Sequence, residues 1–179
     1  NKPRLRQGLT TIAQIGASLP AIALFPLIIL MVTQKYGGGM EIASIILLLS
    51  GMQWYLLFNC LGGVAAIPSD LSQVTQAFGL KKGSVWQKLV LPAIRPALIT
   101  GALTAWGGGW NALVVAEYVT FKDEVLSVNG IGSLLSQAVY ESGDHRAIML
   151  CIGAMVAWIL LLNLIFWRPI FQFSIERYR

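Results

Sequence analysis

The stretch Ile42-Ala43-Ser44-Ile45-Ile46-Leu47-Leu48-Leu49-Ser50-Gly51-Met52-Gln53-Trp54-Tyr55-Leu56-Leu57-Phe58-Asn59-Cys60-Leu61 contains no charge. At the helical rise per residue it spans about 30 Å, the thickness of a bilayer's hydrocarbon core. Three further segments read the same way. Thr10 to Thr33 is uncharged and holds Pro20 and Pro26. A third runs from near Pro96 to about Phe121 with Glu117 as its one charge, and Ala147 to Trp167 is uncharged. Lipid supplies no partner for backbone N–H and C=O groups, so all four are predicted as helices.

Composition agrees. The chain of 179 residues is 56% hydrophobic and 12% charged, and its mean hydropathy is +0.68. A soluble domain carries about 25% charged residues. The first residue is Asn1, and no signal-peptide pattern opens the chain; the expectation is a piece of a longer polypeptide. Cys60 and Cys151 both lie in apolar runs. They read as free, buried thiols, and no cysteine spacing suggests a disulfide framework or a metal site.

The net charge of +5 raises the question of nucleic acid, which its distribution answers. Four spans leave five flanking segments: the first, third and fifth hold Lys2, Arg4, Arg6, Lys81, Lys82, Lys88, Arg95, Arg168, Arg177 and Arg179, against Lys35, Lys122 and Arg146 in the second and fourth. Cytoplasmic loops carry the Lys/Arg excess, so both ends of the segment and the loop near Ser69 are expected in the cytoplasm. The basic charge is then a topology signal, with no nucleic-acid role. The prolines of the first span predict a bent or broken helix near its cytoplasmic end. Of the outer segments, Lys35-Tyr36-Gly37-Gly38-Gly39 reads as a tight turn, Ser133 to Tyr140 as a short helix capped by Ser133, and Glu141-Ser142-Gly143-Asp144 as a turn. His145, the one histidine, falls between Asp144 and Arg146 in an outer loop and reads as solvated. One domain, residues 1–179, accounts for the pattern.

The polar loop over residues 66–92 stands apart. Pro68-Ser69-Asp70 reads as a helix start with Ser69 or Asp70 as N-cap, Leu71, Val74 and Phe78 as one apolar face, and Gly79 as a stop. Lys81, Lys82 and Gly83 form a basic turn. Ser84 is expected to cap a second short helix with Val85, Trp86, Leu89 and Val90 on its apolar side. An amphipathic loop lying on the membrane surface is the plain alternative.

This loop resembles the "EAA" signature of permease subunits of ABC importers: Glu-Ala-Ala, three residues, Gly, nine residues, Ile, one residue, Leu-Pro. With Gly79 on the motif glycine, Gln73-Val74-Thr75 falls on Glu-Ala-Ala, Leu89 on the isoleucine and Leu91-Pro92 on Leu-Pro. Gln73 departs from the pattern; a neutral amide can hydrogen-bond but cannot form an ion pair. Ser18-Leu19-Pro20 to Pro26-Leu27, Ala105-Trp106-Gly107-Gly108-Gly109-Trp110-Asn111-Ala112 with Ala116-Glu117-Tyr118, and Phe166-Trp167-Arg168-Pro169 are similar to permeases of the nitrate/sulfonate/taurine type. The whole resembles the C-terminal half of a duplicated anion permease.

The resemblance implies an all-α, polytopic transmembrane bundle of the type I ABC importer permease (MetI-like) fold, here four spans plus coupling helices, in the cell inner membrane. It implies a cytoplasmic ABC ATPase that binds ATP and Mg with no cofactor in this chain, a second permease unit (a homodimer mate or a preceding half of the same polypeptide), and an external solute-binding protein that the Asn129–Gly132 turn could meet. The coupling loop is then Gln73, Val74, Thr75, Gly79, Lys81, Lys82, Leu89, Leu91 and Pro92. Gly79-Leu80-Lys81-Lys82-Gly83-Ser84 is no phosphate loop.

In the third span, Gly101, Ala105 and Gly109 form a small-residue stripe suited to close helix packing. Trp106, Trp110, Leu113 and Glu117 fall on roughly one face, and Trp106, Trp110, Asn111 and Glu117 are the candidate pathway or gate. A carboxylate here repels an anion, so a structural or gating role suits Glu117 better than a ligand role. A membrane enzyme lacks convergent titratable groups. An ion-coupled secondary transporter calls for more intramembrane carboxylates or paired broken helices, and a plain membrane anchor leaves the Gly79–Pro92 spacing unexplained.

Overall fold

The computed structural model describes residues 3–35, 37–121 and 124–176. Lys2, Tyr36, Lys122, Arg177 and Arg179, all used in the sequence reading, lie outside the described residues. In chain order the elements are α1 (Pro3–Ser18), a 3-10 turn (Ala21–Leu24) leading into α2 (Phe25–Ile29), a π-turn (Leu30–Lys35), α3 (Met40–Ala65), α4 (Ser69–Ala77), α5 (Lys82–Val85) and a second π-turn (Trp86–Val90). Then follow α6 (Leu91–Glu117), β1 (Tyr118–Phe121), β2 (Glu124–Ser127), α7 (Ile131–Gln137), a π-turn (Ala138–Ser142), α8 (His145–Leu162), a last π-turn (Asn163–Trp167) and α9 (Arg168–Glu176).

Among the described residues three helices are long and apolar enough to cross a membrane: Met40–Ala65, Lys82–Glu117 and His145–Phe173. The pair Thr10–Ser18 and Ala21–Val32, bent by 83° at its break, is apolar and long enough when taken together and makes a fourth crossing if the two are one span. The break expected from Pro20 is there, but it falls mid-stretch rather than near one end. Pro26 breaks nothing, because it sits in the first turn of α2, where its missing N–H would have no helical partner.

Other boundaries also move. The third span begins in the polar loop: α5, its π-turn and α6 run on as one helix of 36 residues, so no separate second short helix exists there. Lys82, Lys88 and Arg95 ride on that helix. The same span ends at Glu117, and Phe121 belongs to an antiparallel hairpin with Tyr118 opposite Ser127 and Phe121 opposite Glu124. The helix of the last span continues past Trp167 to Phe173.

Two of the π-turns have a sequence cause. Each ends one residue before an X-Pro pair, Leu91-Pro92 and Arg168-Pro169. A proline ring in a helix clashes with the carbonyl four residues back and donates nothing to it. Here the preceding amide instead reaches five residues back, Leu91 to Trp86 and Arg168 to Asn163. The widened turn lets the helix pass its proline unbroken.

Contacts gather into two units. One joins the residues up to Trp54 with Trp106–Leu160; the other joins Tyr55–Ala105 with the residues from Leu161 on. In the first, Phe25, Ile29, Val32, Ala43, Leu47 and Ala116 are buried together, flanked by Val119, Phe121 and Leu126 of the hairpin. Ser44, 5% exposed, places its hydroxyl between the carbonyls of Met40 and Ala116, tying α3 to the end of α6. Cys151 is half-buried here; Cys60, in the second unit, is half-buried too, and both are free. Full burial of the thiols was the expectation, and helices that present large apolar side chains outward do not provide it.

In the second unit small residues set the contact between α3 and α6. A Cβ at Gly63 would stand 2.6 Å from that of Ala97, and one at Gly101 2.8 Å from that of Asn59. Gly109, in the first unit, faces Met52 in the same manner. The small-residue stripe therefore packs. Between helices in lipid there is no hydrophobic gain, so close backbone approach and dispersion provide the attraction. Adjacent Gly62 has nothing within 4 Å. Gly63→Val is expected to destabilise the protein by about 1–3 kcal/mol through overpacking, while Gly62→Val leaves stability nearly unchanged; thermal unfolding of both variants in the same detergent checks this.

Candidate functional site

Two places carry the candidate residues. The first is the loop around α4. Its helix starts at Ser69, with Pro68 as N-cap at φ −57° and ψ 138° and no side-chain cap. Neither Ser69 nor Asp70 caps, because proline already fixes the turn into the helix. Ser69 donates to the Asp70 carboxylate at 3.3 Å, and Asp70 sits in the first turn, where a negative charge complements the helix dipole.

The C-terminus closes in a full Schellman arrangement. Gly79 has φ +60°; its N–H donates to Gln76 O at 3.0 Å, and Leu80 N–H to Thr75 O at 3.1 Å. That left-handed position is open to glycine at no steric cost. Lys81 is extended, at φ −66° and ψ 148°, and the long helix begins at Lys82. Ser84 is thus inside the first turn rather than capping it.

The loop exposes what the sequence placed on its apolar face: Leu71 is 44%, Val74 50% and Phe78 78% exposed. Gln73, Gly79, Lys81 and Lys82 are exposed, and Thr75 is half-buried. Leu89 and Pro92 are half-buried and Leu91 is exposed. Leu89 lies in the π-turn that Pro92 necessitates, so the Leu-Pro end of the spacing coincides with a widened turn of the long helix.

The second place is the far end of α6. Trp106 and Trp110 meet edge to face, with ring centroids 5.9 Å apart. Asn111 is exposed. Glu117 is half-buried, and its Oε2 accepts the backbone N–H of Gly132 at 2.7 Å and of Ser133 at 3.1 Å. Those are amides of the first turn of α7, so the carboxylate caps a helix that lacks a cap of its own. Gly130 is the N-cap residue, extended at φ −162° with no side-chain bond. Ser133, the expected cap, is instead in the first turn and 4% exposed. A side chain at Gly130 would overlap the carboxylate, and a Cβ at Gly132 would come within 2.8 Å of Val114 Cα.

Sequence reasoning gives Glu117 a structural or gating role but misses the partner it caps. The available signal was Gly130-Ile131-Gly132 following a lone intramembrane acid. Nearby, Tyr118 donates to Glu141 at 3.2 Å and stacks on Tyr140; partial burial and then the Glu141 carboxylate raise its hydroxyl pKa above the ordinary value. The Glu141–Asp144 turn closes with Gly143 at φ +61°, and Asp144 Oδ1 caps α8 through the amides of Arg146 and Ala147. His145 is exposed, its Nδ1 3.0 Å from Gly143 O. No metal-holding group of His, Cys, Asp or Glu occurs among the described residues.

Apolar helices crossing a bilayer, a bent first span, and a closed polar loop feeding a long helix define a polytopic membrane protein of the type I ABC importer permease fold. The chain belongs to the family of binding-protein-dependent transport system inner membrane components, which it matches over residues 1–175. It is 29% identical to the nitrate import permease protein NrtB of Leptolyngbya laminosa over 157 residues, 88% of this chain and 52% of that protein. It is 30% identical to the bicarbonate transport system permease protein CmpB of Synechococcus elongatus over 126 residues, 65% of this chain and 44% of that protein. The putative aliphatic sulfonates transport permease protein SsuC of Escherichia coli is 29% identical over 130 residues, 73% of this chain and 45% of its own length. The chain thus spans about half the length of these relatives. In fold it matches the MetNI methionine ABC transporter in an inward-facing conformation, with a TM-score of 0.77 at 19% identity, covering 96% of this chain and 76% of that one.

Glu117→Ala leaves two amides of α7 without their acceptor. It is expected to cost about 1–3 kcal/mol, and Glu117→Gln, which keeps one oxygen acceptor, less. Thermal unfolding, with proteolysis of the 118–144 region as a local readout, checks the order.

Proposed function

We propose that the chain is part of the permease component of an ATP-driven importer, contributing one half of a translocation pathway for a small anion of the nitrate, sulfonate, taurine or bicarbonate class. ATP and Mg bind to a separate ATPase, and a second permease unit completes the pathway. That unit is a second copy or another unit of the same polypeptide. An external solute-binding protein delivers the substrate. The Lys/Arg asymmetry supports a cytoplasmic position for the α4 loop and for both ends of the segment.

One observation carries this reading: α4 is closed at Gly79, exposes Leu71, Val74 and Phe78, and connects through only Leu80 and Lys81 to a helix of 36 residues. A short, closed connection transmits a push as a rigid-body movement rather than absorbing it. Gln73, Val74, Thr75, Gly79, Lys81, Lys82, Leu89, Leu91 and Pro92 form the ATPase-coupling surface. Trp106, Trp110 and Asn111 face the pathway, and Glu117 supports that end of the helix by holding α7. Gln73, in place of an acid, couples by hydrogen bonding alone.

The test is Gly79→Val. A β-branched residue in the left-handed region costs about 1–2 kcal/mol and opens the turn. Uptake and co-purification of the ATPase should both fall severalfold while the protein still inserts in the membrane; if both survive, the coupling role is wrong. Gln73→Glu should strengthen co-purification.

A further inference from the structure

The second unit contains a crevice of about 340 Å³ that the transport reading does not use, lined by Leu103, Asn163, Trp167, Arg168, Phe171 and Gln172. Its composition is divided. Leu103 and Phe171 are apolar, Asn163 and Gln172 carry amides, Trp167 supplies an indole, and Arg168 brings the only charge. Asn163 and Trp167 are the first and last residues of the π-turn that precedes Arg168-Pro169.

Its position along the chain adds a second line of argument. Ala147 to Trp167 is uncharged, so Arg168 is the first charge after about 20 apolar residues, where a span meets the headgroup layer. Tryptophan favours the same depth. No carboxylate pairs with Arg168 among the described residues, and no residue in the most apolar window of the last span is buried, so that helix offers its surface to lipid. A guanidinium at the edge of hydrocarbon is stabilised by an anion, and its planar fork fits phosphate oxygens.

We propose that this crevice binds an anionic phospholipid. Arg168 holds the phosphate, Gln172, one turn further out, hydrogen-bonds the headgroup, and Leu103 and the indole of Trp167, on the hydrocarbon side, receive the start of an acyl chain. Basic pockets between membrane helices bind acidic headgroups on the same principle. The site rests on the membrane position of the chain alone and is independent of the transported substrate.

Native mass spectrometry and thermal unfolding of the full polypeptide, delipidated and supplemented with phosphatidylglycerol, phosphatidylcholine or inorganic phosphate, test it. Phosphatidylglycerol should remain bound and raise the melting temperature, and phosphatidylcholine and phosphate should not. Arg168→Gln should weaken phosphatidylglycerol binding about tenfold, as expected for loss of a charge-assisted hydrogen bond. Leu103→Trp should weaken it by filling the crevice with the charge intact, and Arg95→Gln, which removes the same charge elsewhere, should leave it unchanged. Equal phosphatidylglycerol binding by wild type and Arg168→Gln overturns the proposal. So does an equal effect of inorganic phosphate, which would make this a free-anion site, or a change of oligomeric state in Arg168→Gln with lipid binding intact, which would make it a contact between copies.

Discussion

Lipid offers a peptide group nothing to bond to, and proline brings one donor fewer than a helix requires. This chain places prolines in or beside every span, so its architecture depends on how each missing hydrogen bond is accommodated. At Pro20 the helix gives way and turns by 83°. At Pro26 the vacancy falls in a first turn and costs nothing. At Pro92 and Pro169 a single widened turn carries the helix past. The Leu91-Pro92 pair of the loop signature is therefore a geometric instruction: it accompanies a π-turn one turn into the long helix.

The same scarcity of partners explains Glu117. The first amides of α7 need an acceptor, and the local sequence Asn129-Gly130-Ile131-Gly132 supplies glycine where a capping side chain would stand. The acceptor comes from the end of α6, and the glycines provide room for it. A carboxylate that is costly in an apolar span is satisfied by two backbone donors. The hairpin that follows adds to the tie, with Val128 N–H donating to Glu117 O at 2.9 Å.

The spans were legible because bilayer thickness writes itself into uncharged runs of fixed length. Their ends were not. Lys82, Lys88 and Arg95 mark where charge tolerates water, and Pro92 and Pro96 read as the entry into the third span, yet one helix runs from Lys82 through all of them. Tyr118-Val119-Thr120-Phe121 is as apolar as the span before it, so composition could not separate strand from helix; pairing with Glu124–Ser127 did. The loop was legible in its spacing and its glycine, since φ +60° at Gly79 is a local requirement. Ser69, Ser84 and Ser133 were misread as caps for one reason: the capping group can be a proline geometry, an extended lysine or a distant carboxylate, none of which sequence proximity reveals.

Cys60 and Cys151 are free and half-buried, and each belongs to a different contact unit. The chain therefore carries one intrinsic thiol per unit, both within apolar helices. Maleimide reagents that differ in water solubility, applied to intact membranes, would report the solvent at each position without a single substitution. A pair of spin labels on the same two sulfurs would report the distance between them in the membrane.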